Sequence, residues 1–228
     1  LQVRDGVTTA LEMEGGAWPV DEWYAEREAG WRINFGATTS YGAARRMAFE
    51  GDRGDATYDA ASPEQVEEIQ RTIRAGLARG ALGLGLGLQY IPGASREEIF
   101  RAFQTVADAG LTVFVHIRYA GLLEPESSIA AVQEMVADAA GSNGSVHVVH
   151  IGSSGLQQIP VILEMIDAAR AEGVDVTTEV YPYTAASTSI RAAIFDPGWR
   201  ERLGGDYGDI EWIATGERLD SASFCLLY

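Results

Sequence analysis

The chain has 228 residues, 46% of them hydrophobic and 22% charged, a composition typical of a folded protein with a large core. Its 17 basic and 33 acidic residues leave a formal charge of -16, which disfavours nucleic acid and anionic membrane surfaces as partners. The single cysteine, Cys225, excludes an intramolecular disulfide, and no apolar run approaches the roughly 20 residues of a membrane span, so we expect a cytoplasmic protein.

Strands and helices are predicted to alternate along the chain. The strands are short apolar runs with β-branched residues, whereas the helices are longer, and several of them end near a glycine. In chain order the predicted elements are a strand over residues 7–14, a helix over 21–29, a strand over 32–37, a helix over 41–50, a helix over 63–79, a strand over 81–88, a helix over 95–109, a strand over 111–117, a helix over 127–140, a strand over 146–151, a helix over 156–171 and a strand over 174–180. Such an alternation indicates parallel βα units.

Two segments carry specific local signals. Ser62, Pro63 and Gln65 supply an N-cap, a proline at the first helical position and a capping-box partner. In residues 81–88 leucine alternates with glycine, and glycine within a strand permits close approach of another backbone. We therefore expect that strand to face a crowded barrel interior.

The alternation fits two α/β architectures, a doubly wound open sheet and a (β/α)8 TIM barrel. No GxGxxG motif opens a helix after the first strand, which weakens the dinucleotide-binding version of the open sheet. Polar residues cluster where predicted strands end, which is where barrel enzymes place their chemistry, so we favour a barrel that lacks about two βα units. The chain opens inside a helix-like segment and closes on an apolar stretch, and we expect it to have been cut from a longer protein.

Two of the three histidines, His116 and His150, end successive predicted strands. In a barrel their imidazoles would converge at the catalytic mouth, where a neutral imidazole is the commonest zinc ligand. The alternative is that each histidine is packed and satisfied by a backbone carbonyl. His147 alternates with His150 along the predicted strand, so we expect it to face the surrounding helices.

The first predicted strand carries two acidic residues, Glu12 and Glu14, on one face. The opposite face is apolar, and a buried glutamate is costly unless it is paired or bound to a metal. Both are therefore candidate carboxylate ligands, and the alternative is a solvent-exposed pair at the end of a strand.

Tyr181 and Tyr183 follow the last predicted strand in a Tyr-Pro-Tyr-Thr segment. Hydroxyl groups at the end of a strand can hydrogen-bond a substrate carbonyl or carboxylate. The alternative is a rigid turn with a packed aromatic ring.

Several short motifs occur in the order found in the N-acyl-D-amino-acid deacylases, or D-aminoacylases, of the amidohydrolase superfamily. They are Gly6-Val7-Thr8-Thr9, Ala81-Leu82-Gly83-Leu84-Gly85, His116-Ile117-Arg118, His150 with Gly152-Ser153-Ser154-Gly155, Val180-Tyr181-Pro182-Tyr183-Thr184-Ala185 and Trp212-Ile213-Ala214-Thr215-Gly216-Glu217-Arg218-Leu219. The chain resembles this family, and in particular its N-acyl-D-glutamate deacylase-like branch, and the resemblance covers essentially the whole chain.

The resemblance implies a metal-dependent (β/α)8 barrel that hydrolyses the amide bond of a small N-acyl-D-amino acid through a metal-activated water. It implies one or two divalent ions, with zinc as the metal, and His116 and His150 as ligands. Glu14 lies near a family ligand position that is a cysteine in the best-known D-aminoacylases, and Glu12 is its rival on the same face. A carboxylate is a harder ligand than a thiolate, although both bind zinc.

The resemblance also implies where substrate is contacted. Arg118 and Tyr183 match positions that are expected to contact the substrate. Tyr181, from the same segment as Tyr183, is a third candidate substrate-binding residue. The archetypal D-aminoacylase pattern has a lysine two positions after the second histidine, where this chain has Gly152. Recognition of the substrate carboxylate must therefore be arranged differently here.

The family has a His-x-His pair on its first strand and a catalytic aspartate on its last, and this sequence has no match for either. The resemblance thus implies that residues 1–228 are a partial amidohydrolase barrel domain that lacks the first and last strands and is inactive alone. Two alternatives stay open: a non-catalytic α/β protein that binds a small ligand, and another amidohydrolase acting on a cyclic or linear amide. A metal-free barrel enzyme that forms a Schiff base is disfavoured, since the chain contains no lysine.

Overall fold

The structure, a computed structural model, describes residues 2–228 and contains six parallel strands in one sheet. The strands and helices in chain order are β1 (Thr9–Ala17), α1 (Val20–Glu28), β2 (Asn34–Ser40), α2 (Tyr41–Ala48), α3 (Pro63–Ala78), β3 (Gly83–Gly87), α4 (Arg96–Asp108), β4 (Thr112–His116), α5 (Ser128–Ser142), β5 (Ser145–Val148), α6 (Ile151–Ser154), α7 (Ile159–Ala171), β6 (Asp175–Thr178), α8 (Trp199–Leu203), β7 (Glu211–Trp212), β8 (Glu217–Arg218) and α9 (Ser221–Leu227). All six predicted strands and all six predicted helices are therefore present, with shifted ends. The sequence predicted no element after residue 180, where the structure has α8, α9 and the antiparallel pair β7–β8.

The strand order identifies the architecture. In the six-stranded sheet each strand is hydrogen-bonded to the next one in the chain, in the order β1-β2-β3-β4-β5-β6. A doubly wound sheet would reverse direction at a switch point, whereas a barrel advances one strand at a time around its axis. The helices follow the same progression, since α3 packs against α4, α4 against α5, and α5 against α7. The sheet is therefore the barrel type, and it holds six strands.

The two faces of the sheet differ in composition because side chains alternate along a strand. The face toward the helices is aliphatic and fully buried. Its residues on β3, β4, β5 and β6 are Leu84, Leu86, Val113, Val115, Val146, Val148 and Val176. On the same strands the inner face holds glycines together with hydroxyl, aromatic and histidine side chains, and Phe114 lies beside His147 with 5.6 Å between ring centroids. Candidate functional side chains of these strands therefore lie on the inner face.

The helices begin where the sequence supplies caps. Ser62 and Gln65 form the predicted capping box at the start of α3, each side chain accepting a hydrogen bond from the other residue's backbone N–H. Ser95 and Ser127 accept from backbone N–H groups at the starts of α4 and α5. These caps fix the points at which the chain turns back from each loop to the outer layer.

A bulge in β1 shapes the mouth of the barrel. Glu12 pairs with Ala37 of β2, but five residues later Ala17 pairs with Thr39, so β1 carries extra residues between these two points. The bulged backbone passes over β3, where a Cβ on Gly85 would lie 2.6 Å from the carbonyl oxygen of Glu14. The close approach that the Leu-Gly alternation predicted is thus confirmed, and β1 is the segment that approaches.

A second, smaller cluster lies outside the sheet. Trp199 of α8 stacks on Phe224 of α9 with ring centroids 5.7 Å apart, and Leu219 is buried with them. None of the helices in residues 2–228 is both long and apolar enough to cross a bilayer.

Candidate metal centre

Glu14, His116 and His150 meet at the mouth of the barrel. One potential ligand atom from each lies within 4.8 Å of the other two. The carboxylate bridges the two rings, with Oε1 3.1 Å from His116 Nδ1 and Oε2 3.0 Å from His150 Nε2. The ring centroids of the two histidines are 4.7 Å apart. Two imidazoles and a carboxylate thus converge from β1, β4 and the segment after β5.

The bulge in β1 is what brings Glu14 to the histidines. β1 is separated from β4 by two strands, and a regular β1 would leave this carboxylate beside β2. Burial favours the protonated form of Glu14, but the hydrogen bonds and charge of His116 and His150 outweigh burial and lower its pKa to about 2. The cluster therefore holds an ionised carboxylate at neutral pH.

His150 lies beyond the end of its strand. β5 stops at Val148, and His150 adopts a left-handed backbone conformation (φ 35°, ψ 49°) just before α6. This turn re-aims the side chain toward Glu14. Burial lowers the pKa of His150, but its contact with the Glu14 carboxylate outweighs burial and raises the pKa above its usual value.

His147 lies on the inner face of the sheet, and the expectation that it faces the helices is wrong. Its neighbours Val146 and Val148 occupy the helix-facing core, so alternation turns His147 inward beside Phe114. Its Nδ1 lies 2.8 Å from Thr177 Oγ1 of β6. The strand pattern failed because β5 ends at Val148, so that His150 is not part of the strand.

A cavity of about 350 Å³ opens above the cluster. Tyr181 and Tyr183 line it, together with Tyr90 and Thr188, whose hydroxyl oxygens are 3.4 Å apart. The Tyr181 ring lies 6.2 Å from that of His150, and Tyr183 is 75% exposed. Two of the three candidate substrate residues are therefore beside the cluster.

The chain has relatives of known activity. No family model matches it. It is 32% identical over 136 residues to an N-acyl-D-glutamate deacylase of Alcaligenes xylosoxydans xylosoxydans, a match that covers 57% of this chain and 27% of the relative. Among solved structures, an N-acyl-D-glutamate deacylase from Bordetella bronchiseptica, complexed with zinc and a phosphonate inhibitor, shares its fold with a TM-score of 0.66 at 22% identity, over 79% of this chain and 43% of that one. A D-aminoacylase shares the fold with a TM-score of 0.69 at 21% identity, over 83% of this chain and 44% of that one.

The chain is thus similar in sequence, over part of its length, to an N-acyl-D-glutamate deacylase, and it shares the fold of the D-aminoacylases. It spans about a quarter of the length of the curated relative and less than half of the solved chains. The expected fold class, a (β/α)8 barrel of which this chain supplies six strands, is confirmed by the strand order together with these neighbours.

Arg118, the third residue that the family resemblance assigns to substrate, is buried beneath the site. Its guanidinium donates to both carboxylate oxygens of Glu134 on α5, at 3.0 and 2.7 Å, and to the carbonyl of Ala94 at 2.7 Å. It borders a smaller cavity of about 220 Å³ that shares Gln89 with the cavity over the cluster. In this structure its hydrogen bonds hold the loop after β3 against α5.

Glu12, the rival carboxylate, lies outside the cluster. Its side chain accepts a hydrogen bond from the backbone N–H of Gly15 at 3.2 Å and is exposed. The bulge begins after Glu12, so the two acidic residues of β1 do not share the environment that strand alternation predicted.

Two further residues touch the histidines and were missed as site residues. Gln89 Oε1 lies 2.5 Å from His116 Nε2, and Ser153 Oγ lies 3.1 Å from His150 Nδ1. A signal for Gln89 was present, because it follows β3 directly, as other site residues follow their strands. Ser153 belongs to a motif that was noted only for the family resemblance.

Proposed function

We propose that this chain forms the metal-binding part of an N-acyl-D-amino-acid deacylase, an enzyme that hydrolyses an amide bond of a small N-acylated amino acid. The observation that carries the proposal is the convergence of Glu14, His116 and His150 at the mouth of a barrel of this family. N-acyl-D-glutamate is the substrate to which the named relatives point.

The three side chains fit a zinc ion by their chemistry. Imidazole nitrogen and carboxylate oxygen are zinc ligands, and a catalytic zinc site commonly has three protein ligands. Glu14 is already ionised, and each imidazole directs one ring nitrogen into the cluster. A zinc ion held there would supply Lewis-acid chemistry, polarising the amide carbonyl and making water a better nucleophile.

The chain's other residues would orient the substrate. Phenol and hydroxyl groups from Tyr181, Tyr183 and Thr188 line the cavity and can donate to a carbonyl or carboxylate. Arg118 would act indirectly, by holding the loop that carries Gln89. The size of the cavity suits a small acylated amino acid, and the charge of -16 argues against nucleic acid or anionic membrane partners.

The general base and two further ligands are assigned outside residues 1–228, which we propose to be part of a barrel domain of a cytoplasmic enzyme. The family resemblance supports this assignment. So does the coverage of the relatives, because the chain matches less than half of the length of each. The surrounding reading frame tests it directly: a His-x-His motif before the chain and an aspartate at a strand end after it are expected.

The function is tested on the intact protein by zinc content and by hydrolysis of N-acetyl-D-glutamate, with N-acetyl-L-glutamate as the stereochemical control. His150→Asn and Glu14→Ala should each remove zinc and turnover. His147→Asn and Glu12→Gln are the matched controls and should retain both, because neither side chain belongs to the cluster and Gln keeps the acceptor that the Gly15 N–H uses. Native protein without bound zinc, or controls as damaging as their partners, would contradict the proposal.

A further inference from the structure

The two histidines of the cluster use different ring nitrogens. His116 directs Nδ1 toward Glu14, whereas His150 directs Nε2 toward it. A nitrogen that binds a metal offers its lone pair, so in a neutral imidazole the other nitrogen carries the proton and needs an acceptor. His116 therefore requires an acceptor at Nε2, and His150 requires one at Nδ1.

The fold supplies an acceptor at each of these outer nitrogens. His116 Nε2 meets Gln89 Oε1 at 2.5 Å. His150 Nδ1 meets Ser153 Oγ at 3.1 Å, and the Ser153 hydroxyl donates its own hydrogen to the His150 carbonyl at 3.0 Å, which leaves the oxygen free to accept. Each ring thus has one nitrogen facing Glu14 and an acceptor at the other nitrogen. The acceptor is an amide oxygen for His116 and a hydroxyl oxygen for His150.

Gln89 is held in place by the backbone around it. It lies in a short 3-10 turn, Leu88–Tyr90, that follows β3 directly, and Leu88 is fully buried in the core. Gly87, the last residue of β3, pairs with His116 in the sheet register. The side chain that follows this pair by two residues is therefore directed at the His116 ring by the strand pairing itself.

We propose that Gln89 is a positioning residue that keeps His116 in the Nε2–H form, so that Nδ1 presents its lone pair to the metal beside Glu14 and His150. The inference rests on the proposed metal-binding function and adds to it the residue that selects the ligating nitrogen. Outer hydrogen bonds of this kind typically change metal affinity by roughly 10–100-fold when they are removed.

The test separates the acceptor from the bulk of the side chain. Gln89→Met keeps the length but removes the acceptor, whereas Gln89→Glu keeps an acceptor in the same place. Gln157→Met is the matched control, because Gln157 is exposed and lies away from the cluster. Zinc affinity of the intact protein is measured by competition with a chromophoric chelator.

We expect Gln89→Met to weaken zinc binding by roughly 10–100-fold, while Gln89→Glu binds at least as tightly as the native protein. Gln157→Met should have no effect. Equal loss in Gln89→Met and Gln89→Glu would mean that an acceptor at this position does not maintain zinc affinity, which overturns the proposal. Native affinity in Gln89→Met would overturn it too.

A spectroscopic reading keeps the inference testable if a variant does not fold. Nitrogen-15 NMR of the native zinc-loaded protein should show a slowly exchanging Nε2–H on His116, assigned by its loss in His116→Asn. A proton on His116 Nδ1 in that state would refute the tautomer. Zinc-free native protein would instead count against the proposed function, so the two failures are distinguishable.

Discussion

At the scale of single residues, the carboxyl of Asp138 combines burial with a nearby negative charge. It lies on α5 one turn after Glu134, and its Oδ2 has no hydrogen-bond partner among the residues described. Burial raises the pKa of Asp138 to about 7, and the charge of Glu134 adds to the effect, against smaller opposing contributions from Arg118 and Arg96. Asp138 is thus protonated in the folded protein at pH values where it would ionise in the unfolded chain.

This carboxyl makes stability depend on pH. Between its ordinary pKa of 3.8 and about 7, the folded state holds a proton that the unfolded state has lost, so the free energy of unfolding falls as pH rises through this range. Asp138→Asn removes that decline and should be more stable than the native protein at pH 8 by about 2 kcal/mol. Urea unfolding at pH 5 and pH 8 measures the difference.

The matched control for this prediction is Asp167→Asn, since Asp167 is exposed on α7. It should leave the pH dependence of unfolding unchanged. If Asp138→Asn shows the same decline between pH 5 and pH 8 as the native protein, the carboxyl is not the group responsible.

At the scale of elements, the bulge of β1 depends on a glycine in another strand. A Cβ on Gly85 would lie 2.6 Å from the carbonyl oxygen of Glu14 and 2.7 Å from that of Met13. Gly16, within β1, has φ +65°, and a Cβ there would come within 2.8 Å of the Thr39 backbone. The bulge that aims Glu14 therefore fits only where these two positions carry no side chain.

Gly85→Ala should displace the bulge and with it the Glu14 carboxylate. We expect a loss of roughly 1–3 kcal/mol in the free energy of unfolding, as for other overpacked sites, together with weaker zinc binding. Gly30→Ala is the control, because a Cβ on Gly30 meets no atom within 4 Å. Denaturant unfolding and chelator competition measure the two effects, and unchanged zinc affinity in Gly85→Ala would show that Glu14 does not depend on the bulge.

The elements show what a sequence pattern can and cannot predict. Alternation and capping residues located the strands and helices up to residue 180, because those signals are local. The β1 bulge was not predictable, since it depends on contacts with β3 that lie far away in the chain. The same limit explains His147 and Glu12: strand alternation assigns a face only while the strand is regular, and both strands end or bulge before the site.

At the scale of the whole molecule, strand order and histidine placement were predictable for the same reason. In a barrel the carboxyl ends of all strands meet at one mouth, so two histidines at successive strand ends converge whatever the intervening loops do. The pairing of Arg118 with Glu134 was not predictable, because it joins the end of β4 to the middle of α5 through side chains alone. The inner face remains partly open, with Leu11 48% and Leu82 40% exposed.

The bridging carboxylate of Glu14 has a consequence for how fast the protein folds and unfolds. Its partners lie 102 and 136 positions away in the chain, so the site closes only after long loops have been ordered. Contacts that are absent from the folding transition state change the unfolding rate and leave the folding rate nearly unchanged. Saturating zinc should therefore slow unfolding of the intact protein without accelerating refolding, and stopped-flow measurements that show faster refolding would contradict this. Bound zinc would then prolong the lifetime of the folded state, and its loss would shorten that lifetime without slowing folding.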